Sequence, residues 1–238
     1  MKRIVVVTLL AATVFGFSSC RKVIGEGPLV TELRPVGSFT GISSEMSGRV
    51  NFTVGPDCKV ELTAQGNILD VLQTNVVNGV LHIDFKNGVR VKAHEDMTIR
   101  VTAPAADYFR LSGSGDMDVQ GDIVANNLQL KLSGSGNIDM QKAIIAGKID
   151  AEMSGSGNIS IMSGSAINED LAISGSGKIN MGGVAAQNAI THTSGSGDMR
   201  VMVSEKLDAR ISGSGSVYYR GNPIISMQVS GSGRVAPF

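Results

Sequence analysis

The chain has 238 residues, with 21 basic and 21 acidic side chains, no tryptophan and few aromatics. A formal charge of zero without a cluster of Lys and Arg excludes an electrostatic nucleic-acid footprint, and two cysteines are too few for a disulfide framework or a cysteine-based metal site. Glycine is abundant at 30 residues, yet 42% of the chain is hydrophobic and regularly alternating, which excludes a disordered linker.

The first elements in chain order are targeting features. Lys2 and Arg3 form a basic head, and Ile4 to Phe17 is an almost unbroken apolar run. The run is short for a bilayer-spanning helix and reads as a cleaved signal over residues 1–19. Phe17-Ser18-Ser19-Cys20 resembles the lipobox of bacterial lipoproteins, which makes Cys20 the expected site of lipidation and the mature N-terminus. Removing residues 1–19 leaves a charge of about −2. Cys58 is then without a disulfide partner and is expected to be a buried apolar thiol.

Residues 20–35 contain Gly25, Gly27, Pro28 and Pro35 without a clean period and read as a tether. Residues 36–105 form an irregular N-terminal β region. Val50, Phe52 and Val54 alternate, as do Leu81, Ile83 and Phe85, and Ile99 and Val101. Asn78-Gly79 predicts a tight hairpin turn, and Ile68 to Gln73 predicts one helical turn capped by Asn67. The stretch Glu45-Met46-Ser47-Gly48-Arg49-Val50-Asn51-Phe52 aligns without gaps to Glu152–Ile159, which predicts a degenerate copy of the later repeat.

Residues 106–238 carry that repeat. Ser-Gly-Ser-Gly begins at Ser112, Ser133, Ser154, Ser174, Ser194, Ser212 and Ser230, at intervals of 21, 21, 20, 20, 18 and 18 residues. A near-constant period of about 20 marks stacked units that bury apolar surface against their neighbours. In Leu128–Met140 the apolar residues 128, 130, 132, 138 and 140 share one parity with Gly134 and Gly136, and the serines share the other with Lys131, Asn137 and Asp139. A four-residue hairpin loop would put Leu132 opposite Asn137 on one face, which their chemistry forbids. A continuous strand that bends satisfies the pattern, with the motif glycines on the concave inner side where a Cβ would crowd the interior. These structural glycines are Gly113, Gly115, Gly134, Gly136, Gly155, Gly157, Gly175, Gly177, Gly195, Gly197, Gly213, Gly215, Gly231 and Gly233. The predicted fold is all-β, a parallel β-helix (β-solenoid) with about 18–21 residues per rung and less regular rungs in the N-terminal half.

Stacking predicts vertical columns. Leu111, Leu132, Met153, Ile173, Thr193, Ile211 and Val229 form a buried column, and Asp116, Asn137, Asn158, Lys178, Asp198, Ser216 and Arg234 an outward one. Lys178 over Asp198 and Lys131 over Glu152 are expected cross-rung pairs, and Asp118 and Asp139 are expected to stack as like charges. One rung places Thr191 and Thr193 inward and Ile190 and His192 outward, which predicts a local register change.

The motif chemistry points away from catalysis. Calcium-binding toxin repeats have a nine-residue period, and the residue after each motif here varies among Asp, Asn, Lys, Ser and Arg. No copy is followed by the Lys-Ser/Thr of a phosphate loop. His82, His94 and His192 lack metal-ligand spacing, and Ser-Gly-Ser-Gly on a strand bend is not a nucleophile elbow. The expectation is no catalytic residue, no metal, no cofactor and no nucleic-acid partner.

Phe39-Thr40-Gly41-Ile42, Ile99-Arg100-Val101-Thr102-Ala103-Pro104, the repeated Ser-Gly-Ser-Gly and the ending Ser214–Pro223 together resemble the bacterial family labelled putative auto-transporter adhesin, head GIN domain, common in Bacteroidetes. The resemblance covers roughly residues 36 to 235. It implies a right-handed parallel β-helix on an exported protein without established activity. No lipid-facing aromatic girdles precede Phe238, so anchoring is expected from lipid on Cys20 and not from a membrane barrel. Arg21-Lys22-Val23 lacks the acidic run that resembles a surface-export tag, which favours a periplasm-facing outer-membrane location over the cell surface. The expected function is that of a non-enzymatic, lipid-anchored envelope protein whose β-solenoid surface serves adhesion or polymer binding. Its candidate partners are the membrane and a polysaccharide or other envelope ligand. The alternatives are a carbohydrate-active β-helix enzyme and a structural spacer. Oligomeric state is open at this stage.

Overall fold

A computed structural model describes residues 21–238. Cys20 and the signal over residues 1–19 lie outside the described residues. The N-terminal part runs β1 (Arg21–Ile24), β2 (Leu29–Arg34), β3 (Gly41–Ser44), β4 (Arg49–Val54), β5 (Lys59–Gln65), α1 (Gly66–Leu69), β6 (Leu72–Val77), β7 (Val80–Phe85), β8 (Val89–Ala93) and β9 (Thr98–Ala103). The repeats supply β10 (Tyr108–Gly113), β11 (Asp116–Ala125), β12 (Leu128–Gly134), β13 (Asn137–Ile145), β14 (Lys148–Gly155), β15 (Asn158–Gly175), β16 (Lys178–Gly195), β17 (Asp198–Gly213), β18 (Ser216–Arg220), β19 (Ile224–Gly231) and β20 (Arg234–Pro237).

The architecture is a β-solenoid of stacked parallel coils. Each motif is a corner between two walls. The wall before the motif stacks β6, β7, β3, β10, β12, β14, then the second halves of β15, β16 and β17, and finally β19. The wall after it stacks β2, β5, β9, β4, β11, β13, then the first halves of β15, β16 and β17, and finally β18 and β20. Ladders within the repeat region are parallel throughout, because each coil returns in the same direction one rung further on.

Chain order and stacking order part company in the N-terminal half. The coil built on β3 and β4 lies between the β10–β11 coil and the β7–β9 coil, so the chain moves outward and then crosses back before the regular repeats begin. Beyond β9 and β7 the ladder turns antiparallel through β5, β2 and β6, which closes that end. Asn78 and Gly79 both adopt positive φ, 51° and 77°, in the hairpin between β6 and β7, the backbone that a two-residue type I′ turn requires.

Four sequence expectations change. The segment expected to be a tether over 20–35 contains β1, parallel to β8, and β2, antiparallel to β5, and Val23 is buried in the core. Its Gly and Pro residues mark the loops between these short strands. The helical turn begins at Gly66, and Asn67 does not cap it. The Asn67 side chain accepts from the Glu26 N–H at 3.0 Å and donates to the Ile24 carbonyl at 2.7 Å. The degenerate repeat is offset by two residues, because Arg49 pairs with Asp116 and Val50 with Met117, so Gly48 stands where the repeats have their second glycine. Thr191 and Thr193 stay in phase with Ala209 and Ile211. Both are buried, and the register shifts of that coil fall at Met181/Ala185 and Ala186/Asn188.

The first glycine of each motif works differently from the crowded-interior expectation, and the second one bears it out. The first glycine of every motif has φ between 121° and 135°, a region that is essentially closed to residues with a Cβ. From Gly134 onward, a Cβ on it would strike the carbonyl oxygen of the equivalent glycine one coil back. That oxygen is in use. Gly113 O accepts the Ser135 and Gly136 N–H groups at 3.0 and 3.3 Å, and the same forked bond recurs at Gly155, Gly175, Gly195 and Gly213. The obstruction therefore runs along the stacking axis. At the second glycine it is joined by an interior side chain, Leu111 at 3.0 Å from a Cβ on Gly136, and likewise at Gly157, Gly177, Gly197, Gly215 and Gly233.

Candidate binding groove

Where each wall meets its corner, the bend leaves a concave track on the outside of the solenoid. One flank carries the outward residues two places before the motif serine, in register as Arg110, Lys131, Glu152, Ala172, His192, Arg210 and Gln228. The other flank is a ladder of exposed serines, Ser133, Ser154, Ser174, Ser194, Ser212 and Ser230. Between them lies the column Leu132, Met153, Ile173, Thr193 and Ile211, and the whole groove encloses about 870 Å³. Three cations face one carboxylate in this track, counting histidine as neutral. Lys131 Nζ lies 3.1 Å from Glu152, as the register predicts, and Arg210 Nε lies 3.5 Å from Asp208. Both pairs are solvent-screened and contribute little to stability.

The second wall carries the outward column in the expected order, with Ser216 buried at 8% exposure, and extends it upward by Arg49, whose guanidinium lies 3.8 Å from Asp116. Asn137 donates to Asp116 at 2.8 Å and Asn158 to Asn137 at 2.8 Å, a side-chain ladder that ties three coils. Lys178 sits over Asp198 in register. Asp118 and Asp139 do stack. Burial pushes the Asp139 carboxyl above its ordinary value, and the nearby Asp118 and Asp116 charges push in the same direction. Among the described residues no group of three or more His, Cys, Asp or Glu could hold a metal ion.

The titratable groups with displaced pKa values do not gather in the groove, and the shifted pair Tyr218 and Arg234 lies on the second wall. Asp84 is raised chiefly by burial on β7, Asp139 lies on the outer face of β13, and Glu169 is sealed inside the solenoid. None of the three lines the groove. His192 is in the groove, whereas His82 lies on β7 and His94 follows β8. Cys58 is half-buried against the core and is the one cysteine among the described residues. Glu169 was missed by the sequence reading, although the parity of Leu171 and Ile173 already placed it on the inner face. Its carboxyl oxygens, and the Thr191 and Thr193 hydroxyls, have no hydrogen-bond partner among the described residues.

The family described as putative auto-transporter adhesin, head GIN domain, matches residues 38–223. The chain belongs to this family. Several solved structures share its fold. One described as a putative adhesin from Bacteroides fragilis NCTC 9343 is 25% identical, with a TM-score of 0.85 over 91% of this chain and 100% of that one. One described as a putative lipid binding protein from Parabacteroides distasonis ATCC 8503 is 23% identical, with a TM-score of 0.72 over 92% of this chain and 100% of that one. A third, described as a putative adhesin from Parabacteroides merdae ATCC 43184, is 21% identical, with a TM-score of 0.75 over 92% and 99%. No curated protein matches the sequence. Among the described residues no helix of this family member is long and apolar enough to cross a membrane.

Proposed function

We propose that this head GIN domain protein is an exported, lipid-anchored envelope protein that holds an extended polymer, with polysaccharide as the leading class, without chemical turnover. The observation that carries this reading is the groove from Arg110 to Ser230, which runs along the stack and repeats the same serine on coil after coil. Each coil offers a weak polar contact at a repeat of about 4.8 Å, so a repetitive ligand gains through multivalency what a single sugar or peptide lacks. Catalysis needs a few groups with displaced pKa values gathered in one cleft, and none of the displaced groups lines this groove. Acyl-chain binding has less support in this groove, since Leu132, Met153, Ile173 and Ile211 are only 2–3% exposed.

Retention on immobilised bacterial and host polysaccharides, read together with product release, tests the proposal. Polymers should be retained and should elute with their soluble fragments only at high fragment concentration. New reducing ends or unsaturated sugars formed in proportion to protein would establish the enzyme reading, and absence of retention on every polymer would leave the spacer.

The anchor has its own test. Cys20→Ser should move the protein from the membrane to the soluble fraction, because acyl burial contributes about 0.8 kcal/mol per CH₂ and several chains make release negligible. Lack of palmitate incorporation into the parent would remove the anchor from the proposal.

A further inference from the structure

The two ends of the solenoid differ. Antiparallel β2, β5 and β6, together with α1, close the N-terminal end, and Ile68, Leu69, Val71 and Leu72 are buried there. At the other end nothing among the described residues pairs with the outer edges of β19 and β20. All eight residues of β19 are exposed. Ile225, Met227 and Val229 occupy the same inward columns as Leu207, Ala209 and Ile211, yet they are 37%, 65% and 39% exposed where the previous coil is 0–3%. Among the described residues the interior is thus open to solvent through the β19–β20 coil, along a row of backbone donors and acceptors without partners.

We propose that this open end pairs with the same end of a second copy, β19 against β19 in antiparallel register about a two-fold axis. Three observations select a second copy. First, Arg234 is the only charged side chain between Ile224 and Phe238, and it donates to the Tyr218 hydroxyl at 3.3 Å, so a two-fold contact has a single pair of like charges to accommodate. Second, β19 has none of the Lys, Pro or bulge devices that protect an edge strand from pairing, and an edge meeting its own copy across a two-fold axis is antiparallel and self-complementary. Third, the area suffices. A coil with strands about 26 Å long and a width of about 20 Å including side chains has a footprint near 500 Å², and two such faces bury roughly 1,000 Å², the lower bound of a specific interface. Head-to-tail growth is blocked, because the other end is capped, so the assembly stops at two.

The pairing has a consequence for the proposed anchor, and in this it rests on the lipid reading. Arg21 begins β1, which packs beside α1 at the capped end, where the Asn67 side chain holds Ile24 and Glu26. A tail-to-tail dimer therefore directs its two N-termini away from each other, the arrangement of a homophilic contact between two surfaces and not within one.

Sedimentation equilibrium of the chain bearing Cys20→Ser, between about 1 and 100 µM, tests the dimer without any lipid. The expected result is a monomer–dimer equilibrium in the parent and at least a 100-fold weaker association in Met227→Lys, with the melting temperature of the monomer unchanged. A parent that stays monomeric at 100 µM, a Met227→Lys protein that dimerises equally, or open-ended growth would each overturn the proposal. For the opposed arrangement, the chain in a Cys58→Ser background is coupled through the Cys20 thiol to maleimide-bearing phosphatidylcholine vesicles. Vesicles should cluster with the parent and stay dispersed with Met227→Lys, and dispersed vesicles with a dimerising parent would overturn the opposed geometry.

Discussion

Gly155→Val is expected to destabilise the fold by about 2–6 kcal/mol, while Ser154→Val, one residue earlier, changes stability by less than about 1 kcal/mol. Two costs add at Gly155. Its φ of +134° lies where side-chain-bearing residues are strained by about 1–3 kcal/mol. A Cβ there is also aimed at the Gly134 carbonyl oxygen, which already accepts the Ser156 N–H at 3.0 Å. Moving that oxygen aside breaks the corner bond, and overpacking of this kind costs a further 1–3 kcal/mol or so. Ser154 points outward into the groove and its φ is ordinary, so valine there adds a β-branched residue to an exposed strand position. For a domain of this size the glycine substitution lowers the melting temperature by roughly 5–20 °C. Gly155→Ala separates the two costs from side-chain bulk, because alanine already carries the offending Cβ. Equal melting temperatures for Gly155→Ala and the parent would show that the corner relaxes freely, and the account of the glycine ladder would fail.

How much of this was legible in the sequence depends on what period-2 patterning can encode. It encodes which face a residue takes, and so the inward column from Leu111 to Val229, the outward column from Asp116 to Arg234 and the Lys131–Glu152 pair all follow from parity. A tight-turn dipeptide encodes a local backbone, and Asn78-Gly79 does so here. Parity does not encode which strand lies alongside, or in what direction. Antiparallel β5 and parallel β4 alternate alike, so the outward excursion to β9 and the return to β10 left no trace in the pattern. A shift of two residues also leaves every side chain on its face. That is why matching Met46-Ser47-Gly48 to Met153-Ser154-Gly155 kept the faces right and the register wrong. Met46 takes the place of the first motif glycine without a positive φ, so that corner is built differently from the later seven.

The groove was half legible. Its serine ladder follows directly from the motif, but the corner after each serine rests on a positive-φ glycine such as Gly134. Backbone sign at a glycine is invisible to hydrophobic alternation. The open end was equally hidden, since Ile225, Met227 and Val229 read like any other inward triplet. What differs is the absence of a coil beyond them among the described residues, a property of the stack and not of the segment.

The buried carboxyl offers the second large effect. Glu169 stacks between Ile149 and Ala189 in the interior and is 1% exposed, without a hydrogen-bond partner for either oxygen among the described residues. Burial pushes its pKa well above the ordinary value of 4.5, so the folded chain holds it neutral while the unfolded chain ionises it near that value. Above this pH the folded state binds more protons than the unfolded one, and the stability attached to the group is complete below about 4.5 and declines as pH rises toward the folded value. The decline is at most about 1.4 kcal/mol per pH unit. Glu169→Gln removes the titration but keeps an unpartnered polar group, and Glu169→Leu removes both. Relative to Glu169→Gln, in urea unfolding series taken from pH 4.5 to 8, the parent should therefore lose stability as pH rises above 4.5, for as long as the folded carboxyl stays protonated. Glu169→Leu should exceed the parent by about 1–3 kcal/mol at pH 4.5, the cost of a buried unpaired polar group, and by more at pH 8. Parallel curves for the parent and Glu169→Gln across that range would mean the carboxyl ionises freely in the folded chain. The interior around Ile149 and Ala189 would then have to admit water, contrary to its burial.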